Sequence, residues 1–297
     1  MQAVYHLPGL FEFYELYKKF LPLFREHRDW FHEGCTIGSI YGAPAGCPWD
    51  GGRAGFGEAK PAEVAAMMRE YGISARLTFS NSLLREKDLS DPECNRLCAL
   101  FERNGDVPGG VILSSDLLMR YLQERYPGLY FVSSTTKVLT DFRQLEEELS
   151  RPEFRWVVPD FRLNREVDRL AALPQEMKDK VEFLCNEACR FDCPDRKACY
   201  ENVCRKNLGE DCEDHVCVSP NARRGYRFSD AMENPGFIGI REIREVYQPR
   251  GFSHFKIEGR SLGSAMVLEF LLYYMTKPEK QIRVREEIYL DSALDLF

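Results

Sequence analysis

The sequence has no run approaching the roughly 20 apolar residues that a membrane-spanning helix needs. The nearest candidate, residues 265–275, is short and contains Glu269, so it reads as a buried helix. Gly-x-Ser-x-Gly, His-Glu-x-x-His and phosphate-loop motifs are absent, which leaves peptidase and nucleotide-triphosphate chemistry without visible machinery. A Gly-rich dinucleotide turn is missing as well; Gly51-Gly52-Arg53 does not fit that fingerprint. Positive charge is in deficit: 40 Lys and Arg stand against 47 Asp and Glu, a net charge of −7. Such a chain is no general nucleic-acid binder, although a local basic cleft is compatible with it. There is no internal repeat and no low-complexity tract. Residues 1–31 interleave Glu12, Glu15, Lys18, Lys19, Arg25 and Glu26 with apolar positions, which breaks the core of a secretion signal. The expected compartment is the cytoplasm, with no membrane partner.

Cysteine is the residue in excess. Seven of the eleven cysteines fall between Cys185 and Cys217. Thiols gathered this densely point to disulfides, zinc or an iron–sulfur cluster. An odd count and a reducing compartment weigh against full pairing. Cys189 and Cys193 form Cys-x3-Cys followed by Pro194, and Cys212 and Cys217 form Cys-x4-Cys further on. Two pairs separated by a loop can close four thiolates around one centre. Zinc knuckles use Cys-x2-Cys, whereas a cubane accepts varied spacing, so the spacing favours iron–sulfur and keeps zinc as the alternative. Cys185, Cys199, Cys204 and His215 are possible substitutes within that set. Cys35, Cys47, Cys94 and Cys98 read as buried small hydrophobes.

Strand-like runs alternate with helical stretches along the chain. The runs are Thr36–Tyr41, Ala75–Ser80, Gly110–Ser114, Leu129–Ser133, Phe154–Pro159, Val181–Asn186, a weaker Phe237–Arg241, and His254–Glu258. Eight strands alternating with helices predict a single α/β domain, a (β/α)8 TIM-like barrel. The expected layout is an N-terminal helical extension over 1–33, with Pro22 dividing or kinking its helix, and a barrel over 34–276. A Cys-rich insert follows the sixth run over 187–235, and a tail covers 277–297. Helix starts are marked by Pro61, Pro92, Ser115 and Asp141. Two connections are long: residues 42–60, rich in glycine, and the cysteine insert. Both follow strands, so a barrel puts both at its C-terminal face, where active sites are built.

The cysteine region resembles the peptidase U32-like family of iron–sulfur barrel proteins. The matching pieces are Asn186-Glu187-Ala188-Cys189-x3-Cys193-Pro194-x-Arg196, the later cysteine pair, and Gly251-Phe-Ser-His-Phe-Lys-Ile-Glu-Gly-Arg260. Weaker echoes are Tyr41-Gly42 with Gly-Gly-Arg53, Phe79-Ser-Asn81, and Pro159-Asp160 before Asn164-Arg165. The resemblance implies a [4Fe–4S] cluster on Cys189, Cys193, Cys212 and Cys217. It also implies a redox enzyme, of the kind that hydroxylates a small molecule or a nucleobase without oxygen and takes electrons from a donor. A non-catalytic module with a structural zinc held by four cysteines is the alternative; peptidase action is the least favoured.

Other candidates lie at strand ends. Lys256, Glu258 and Arg260 alternate and so share one face, with Lys256 deepest. Glu258 and Arg260 are candidates for binding substrate, Arg260 through its bidentate fork, or for completing the rim as ion pairs. Arg53 has the same two readings. Asn81 suits substrate binding and Asp160 proton handling, against loop capping for both. Glu187, directly before the cysteine loop, is the second candidate for catalysis. Arg223-Arg224-Gly-Tyr-Arg227 forms a small basic–aromatic patch.

Overall fold

Eight short strands carry the architecture: β1 (Ala3–Pro8), β2 (Cys35–Gly42), β3 (Ser74–Phe79), β4 (Gly110–Leu113), β5 (Tyr130–Ser133), β6 (Phe154–Val157), β7 (Glu182–Leu184) and β8 (His254–Lys256). Every pairing is parallel, in the order β6-β5-β4-β3-β2-β1-β8-β7. A parallel bridge between Val157 and Val181 brings the outer strands together and nearly closes the sheet. Parallel strands need crossover connections, and helices supply them around the outside. The molecule is thus the expected (β/α)8 TIM-like barrel. This computed structural model describes residues 2–54, 57, 59–219, 222 and 225–294. Arg223 and Arg224 of the basic–aromatic patch lie outside the described residues. Among the described residues no helix is long and apolar enough to cross a membrane.

Four boundaries differ from expectation. Residues 1–33 are not a helical extension, because Ala3–Pro8 is the first barrel strand, paired with both β2 and β8. It is covered on both faces, with Tyr5, His6 and Leu7 all buried, so it shows no alternation to betray it. The run Phe237–Arg241 is not a strand. Ile238 donates one backbone hydrogen bond to the Cys185 carbonyl at 2.9 Å, and a helical stretch starts at Ile240. The cysteine insert therefore follows β7. It is not structureless, since it contains the helices Arg196–Asn207 and Phe228–Glu233. Residues 281–294 form a helix that buries Val284 and Ile288, so the C-terminal segment is part of the packed body.

Several helix signals behave as their chemistry requires. Pro61 and Pro92 open their helices, where a missing N–H costs nothing. Gly72 closes the first of these in the left-handed region at φ 64°. The helix Tyr14–Glu26 runs through Pro22 undivided, its Tyr17, Phe20 and Leu21 packed into the core. Ser115 and Asp141 cap their helices through side-chain oxygens. Ser115→Ala removes the acceptor of the Leu118 amide and is expected to cost about 1 kcal/mol in urea unfolding, with the m-value unchanged.

Strand alternation divides the core in two. Outward residues such as Leu7, Leu77, Phe183 and Phe255 meet the helices. Inward residues form a second cluster with Tyr41, Ile112, Val132, Val158 and Leu184. Below that apolar layer the barrel interior is polar: His6, Ser39, Arg76 and Glu182 are all buried.

Candidate functional site

The polar layer is organised on one carboxylate. Glu182 accepts from Arg76 Nη1 at 2.5 Å, and lies 3.4 Å from His6 Nε2 and 3.5 Å from Lys256 Nζ. Burial works to raise its carboxyl, but the Arg76 guanidinium, the largest opposing influence, outweighs it and holds the group ionised well below the usual range. Arg76 is further fixed by its Nε donating to the Tyr130 hydroxyl at 3.0 Å and by its guanidinium packing 4.5 Å from the Trp156 ring. His6 is bound to Ser39 at 2.8 Å and to His254 at 3.0 Å, and burial pushes it well below the ordinary imidazole range.

Above this layer lies a cavity of about 70 Å³ at the C-terminal ends of the strands. Its floor carries Lys256 and Thr78, and one wall is hydroxyl-rich, with Ser80, Ser134, Thr135 and Thr136. The other wall carries Arg53, Glu187, Tyr200 and Glu258. Arg53 Nη2 donates to Glu187 at 2.7 Å and to Glu258 at 3.0 Å. Glu187 also accepts from Arg196 Nη2 at 2.6 Å. Burial opposes ionisation of Glu187, but Arg196 and Arg53 win and keep it charged. Glu258 goes the other way: burial, then the Glu187 carboxylate beside it, push it up to about 8. The two carboxyls thus divide into a fixed anion and a group that keeps its proton at neutral pH.

The candidates named from the sequence separate into two sets. Arg53, Glu187, Glu258 and Arg260 line the cavity. Asn81 and Asp160 do not, and both are spent on structure. Asn81 donates its amide to the carbonyls of Pro48 at 2.8 Å and Cys204 at 3.1 Å, and accepts from the Leu83 amide at 2.9 Å. Asp160 caps the turn Phe161–Arg165 and holds Arg162 at 2.6 Å and Arg196 at 3.3 Å, so its proton handling has no access to the cavity. Arg260 is buried in ion pairs with Glu12 at 2.7 Å and Asp50 at 2.8 Å, the rim reading, even though it borders the cavity. These contacts bring residues 42–54 over the mouth. A Cβ on Gly51 would lie 2.4 Å from the Ser80 carbonyl, which is why glycine is required there.

The four cysteines named as ligands are differently placed. Cys193 is buried, Cys189 and Cys212 are partly buried and Cys217 is exposed. Among the described residues no three Cys, His, Asp or Glu side chains gather so that they could hold a metal ion. Cys189 is pushed up to about 12 by burial and by Glu187. In this arrangement the four sulfurs do not meet at one point. The Cys199 thiol is raised by burial and, beyond the opposing Arg53, by Cys217 and Cys193 nearby. Cys35, Cys47, Cys94 and Cys98 are buried, as small hydrophobes should be. His215 is anchored through its backbone amide to Asn202 at 3.2 Å.

Of the cavity residues not named from the sequence, Thr78, Ser80 and the 134–136 hydroxyls come from strand ends, and Tyr200 comes from the helix Arg196–Asn207. Arg196, Tyr200 and Cys204 are its three buried positions. Their spacing of four was visible in an insert read as loop, and it marks one helical face turned onto the mouth. Arg53 joins that helix to the barrel, donating to Tyr200 Oη at 3.3 Å.

No protein-family model matches the sequence, and no curated protein matches it. A solved structure of a U32 peptidase is similar with a TM-score of 0.52 at 14% identity, covering 87% of this chain and 93% of that one. At that identity the likeness speaks for architecture alone: the chain has a U32-peptidase-like fold.

Proposed function

We propose that the barrel mouth binds a small polar molecule and transforms it by proton transfer, with Glu258 as the acid and Arg53 as the orienting cation. One observation carries this reading. Four buried polar atoms that border the same cavity have no hydrogen-bond partner among the described residues: Arg53 Nε, Glu258 Oε2, Lys256 Nζ and Thr78 Oγ1. Leaving one such group unsatisfied costs about 1–3 kcal/mol, so four together favour an occupant with matching polar groups. A volume of about 70 Å³ holds on the order of five water-sized groups, which sets the scale of the buried part. The peptidase reading gains no support, since among the described residues no hydroxyl or thiol paired with a histidine base lines the cavity.

The test is a thermal-shift screen with hydroxy- and oxo-acids of about three to five carbons, a size matched to the cavity volume. A ligand present at a hundred times its dissociation constant stabilises by about 2.7 kcal/mol. That shift is expected for the wild type and is expected to vanish in Arg53→Met. An equal shift in both proteins removes Arg53 from the site, and no shift with any acid removes the carboxylate class.

Iron–sulfur chemistry is a second reading, favoured by the two cysteine pairs that the 187–235 insert carries in sequence. It requires the 187–235 insert to draw its sulfurs together. On this reading the ligands are Cys189, Cys193, Cys212 and Cys217, with Cys199 as a replacement. The chemistry supplied is electron transfer from a donor protein for hydroxylating a small molecule or nucleobase. Anaerobic purification decides it: about four irons per chain, lost in Cys193→Ser, support the cluster. One zinc supports the structural module, and a metal-free protein overturns both.

A further inference from the structure

Lys256 is the charged group that the barrel leaves unsettled. It sits on β8 inside the barrel, 6% exposed, with its Nζ at the cavity floor. Its neighbours come from every side: Tyr41 from β2, Arg76 from β3, Glu182 from β7, His6 from β1, His254 on its own strand, and Arg260 beyond. Only Glu182 of these is anionic, and Arg76 already takes that carboxylate at 2.5 Å, while Lys256 stands off at 3.5 Å. Two cations, Arg76 and Lys256, thus face one carboxylate. His6 is neutral and adds nothing to the balance. The surplus charge is relieved when the lysine gives up its proton, because a guanidinium does not. Nζ lies 3.3 Å from the Tyr41 ring centroid and makes no hydrogen bond among the described residues, so it stays free toward the cavity. Glu258, two residues along on the same face, presents an unpartnered oxygen to that space.

We propose that Lys256 is a nucleophile that forms an imine with a small carbonyl compound, an oxo-acid or hydroxy-aldehyde, bound in the mouth cavity. This rests on reading that cavity as a substrate site. The Nζ lone pair adds to the carbonyl carbon, and a proton moves from nitrogen to oxygen to give a carbinolamine. Glu258 then protonates the hydroxyl, which departs as water while the C=N bond forms. The product is an iminium ion beside the Glu258 carboxylate, and no oxidant or reductant is consumed. The wall of Ser80, Ser134, Thr135 and Thr136 suits the oxygens of such a compound. An iminium acidifies the neighbouring carbon, which gives the proton transfer assigned to this site a substrate to act on.

The experiment is reductive trapping on the full chain at pH 7, using pyruvate and sodium cyanoborohydride, with peptide mapping by mass spectrometry. A desolvated lysine is expected to react on the order of a hundredfold faster than a surface lysine. The supporting result is one reduced adduct on Lys256, slowed in Glu258→Gln and absent in Lys256→Met and Lys256→Arg. Mapping on the wild type decides the question even if a variant fails to fold. Adducts scattered over surface lysines, with none favoured at Lys256, overturn the proposal. A pyruvate-dependent thermal shift without trapping also overturns it but leaves the cavity as a binding site. Neither shift nor trapping, with pyruvate or with glyceraldehyde, overturns the imine and the site together.

Discussion

Glu182→Ala is expected to lower the unfolding free energy by about 3–5 kcal/mol, the cost of leaving buried charge without its counter-charge. The carboxylate is wholly buried and is the anion that faces both Arg76 and Lys256. Arg76 is itself wholly buried and enclosed by Tyr130 and Trp156, so it cannot turn out to solvent when its partner goes. Its Nη2 already lacks a partner among the described residues, so removing Glu182 strips the remaining charge-assisted bond from a desolvated guanidinium. Urea unfolding at pH 7 measures this directly. A loss below about 1 kcal/mol, the worth of an exposed pair, sinks the claim that this pair organises the interior.

Lys256→Met is expected to change how stability depends on pH. Burial, reinforced by Arg76 and only partly opposed by Glu182, pushes Lys256 down to about 7. In the unfolded chain it titrates near 10.4. Between those values the unfolded chain binds a proton that the folded chain lacks, so raising the pH stabilises the wild type. Below about pH 7 both states carry the proton and the penalty is constant. The methionine variant has no such term, so the wild-type-minus-variant difference should rise with pH by up to about 1.4 kcal/mol per unit within that window. Unfolding curves at pH 6.5 and 9 suffice, because tyrosines and cysteines contribute alike to both proteins. A difference that stays flat, or falls, shows that the lysine is an ordinary cation.

The barrel was legible where hydrophobic runs met clear helix signals: Pro61, Pro92, Ser115 and Asp141 each open a helix at the expected place. It was illegible where burial on both faces erased alternation. β1 hid beside an aromatic-rich helix, and the weak run Phe237–Arg241 took its place in the count of eight. Alternation from β8 onward put Lys256, Glu258 and Arg260 on one face, and all three border the cavity. It could not say which was free, because the partners that consume Arg260, Glu12 and Asp50, come from segments more than two hundred residues away. Of the two readings weighed for Asn81 and Asp160, their hydrogen bonds match loop capping. Short polar side chains at such positions serve the backbone and a guanidinium as readily as a substrate. The cysteine density was the loudest signal, and it describes composition; whether sulfurs converge depends on the path of the insert, which spacing does not specify.

The two coverings of the mouth are latched to each other. Asn81 grips both at once through Pro48 and Cys204, and Asn207 reaches across to the Asp50 carbonyl at 2.7 Å. Neither flap can swing out alone without breaking bonds that belong to its neighbour. A molecule that displaces either covering on its way to Lys256 must therefore break bonds held by the other.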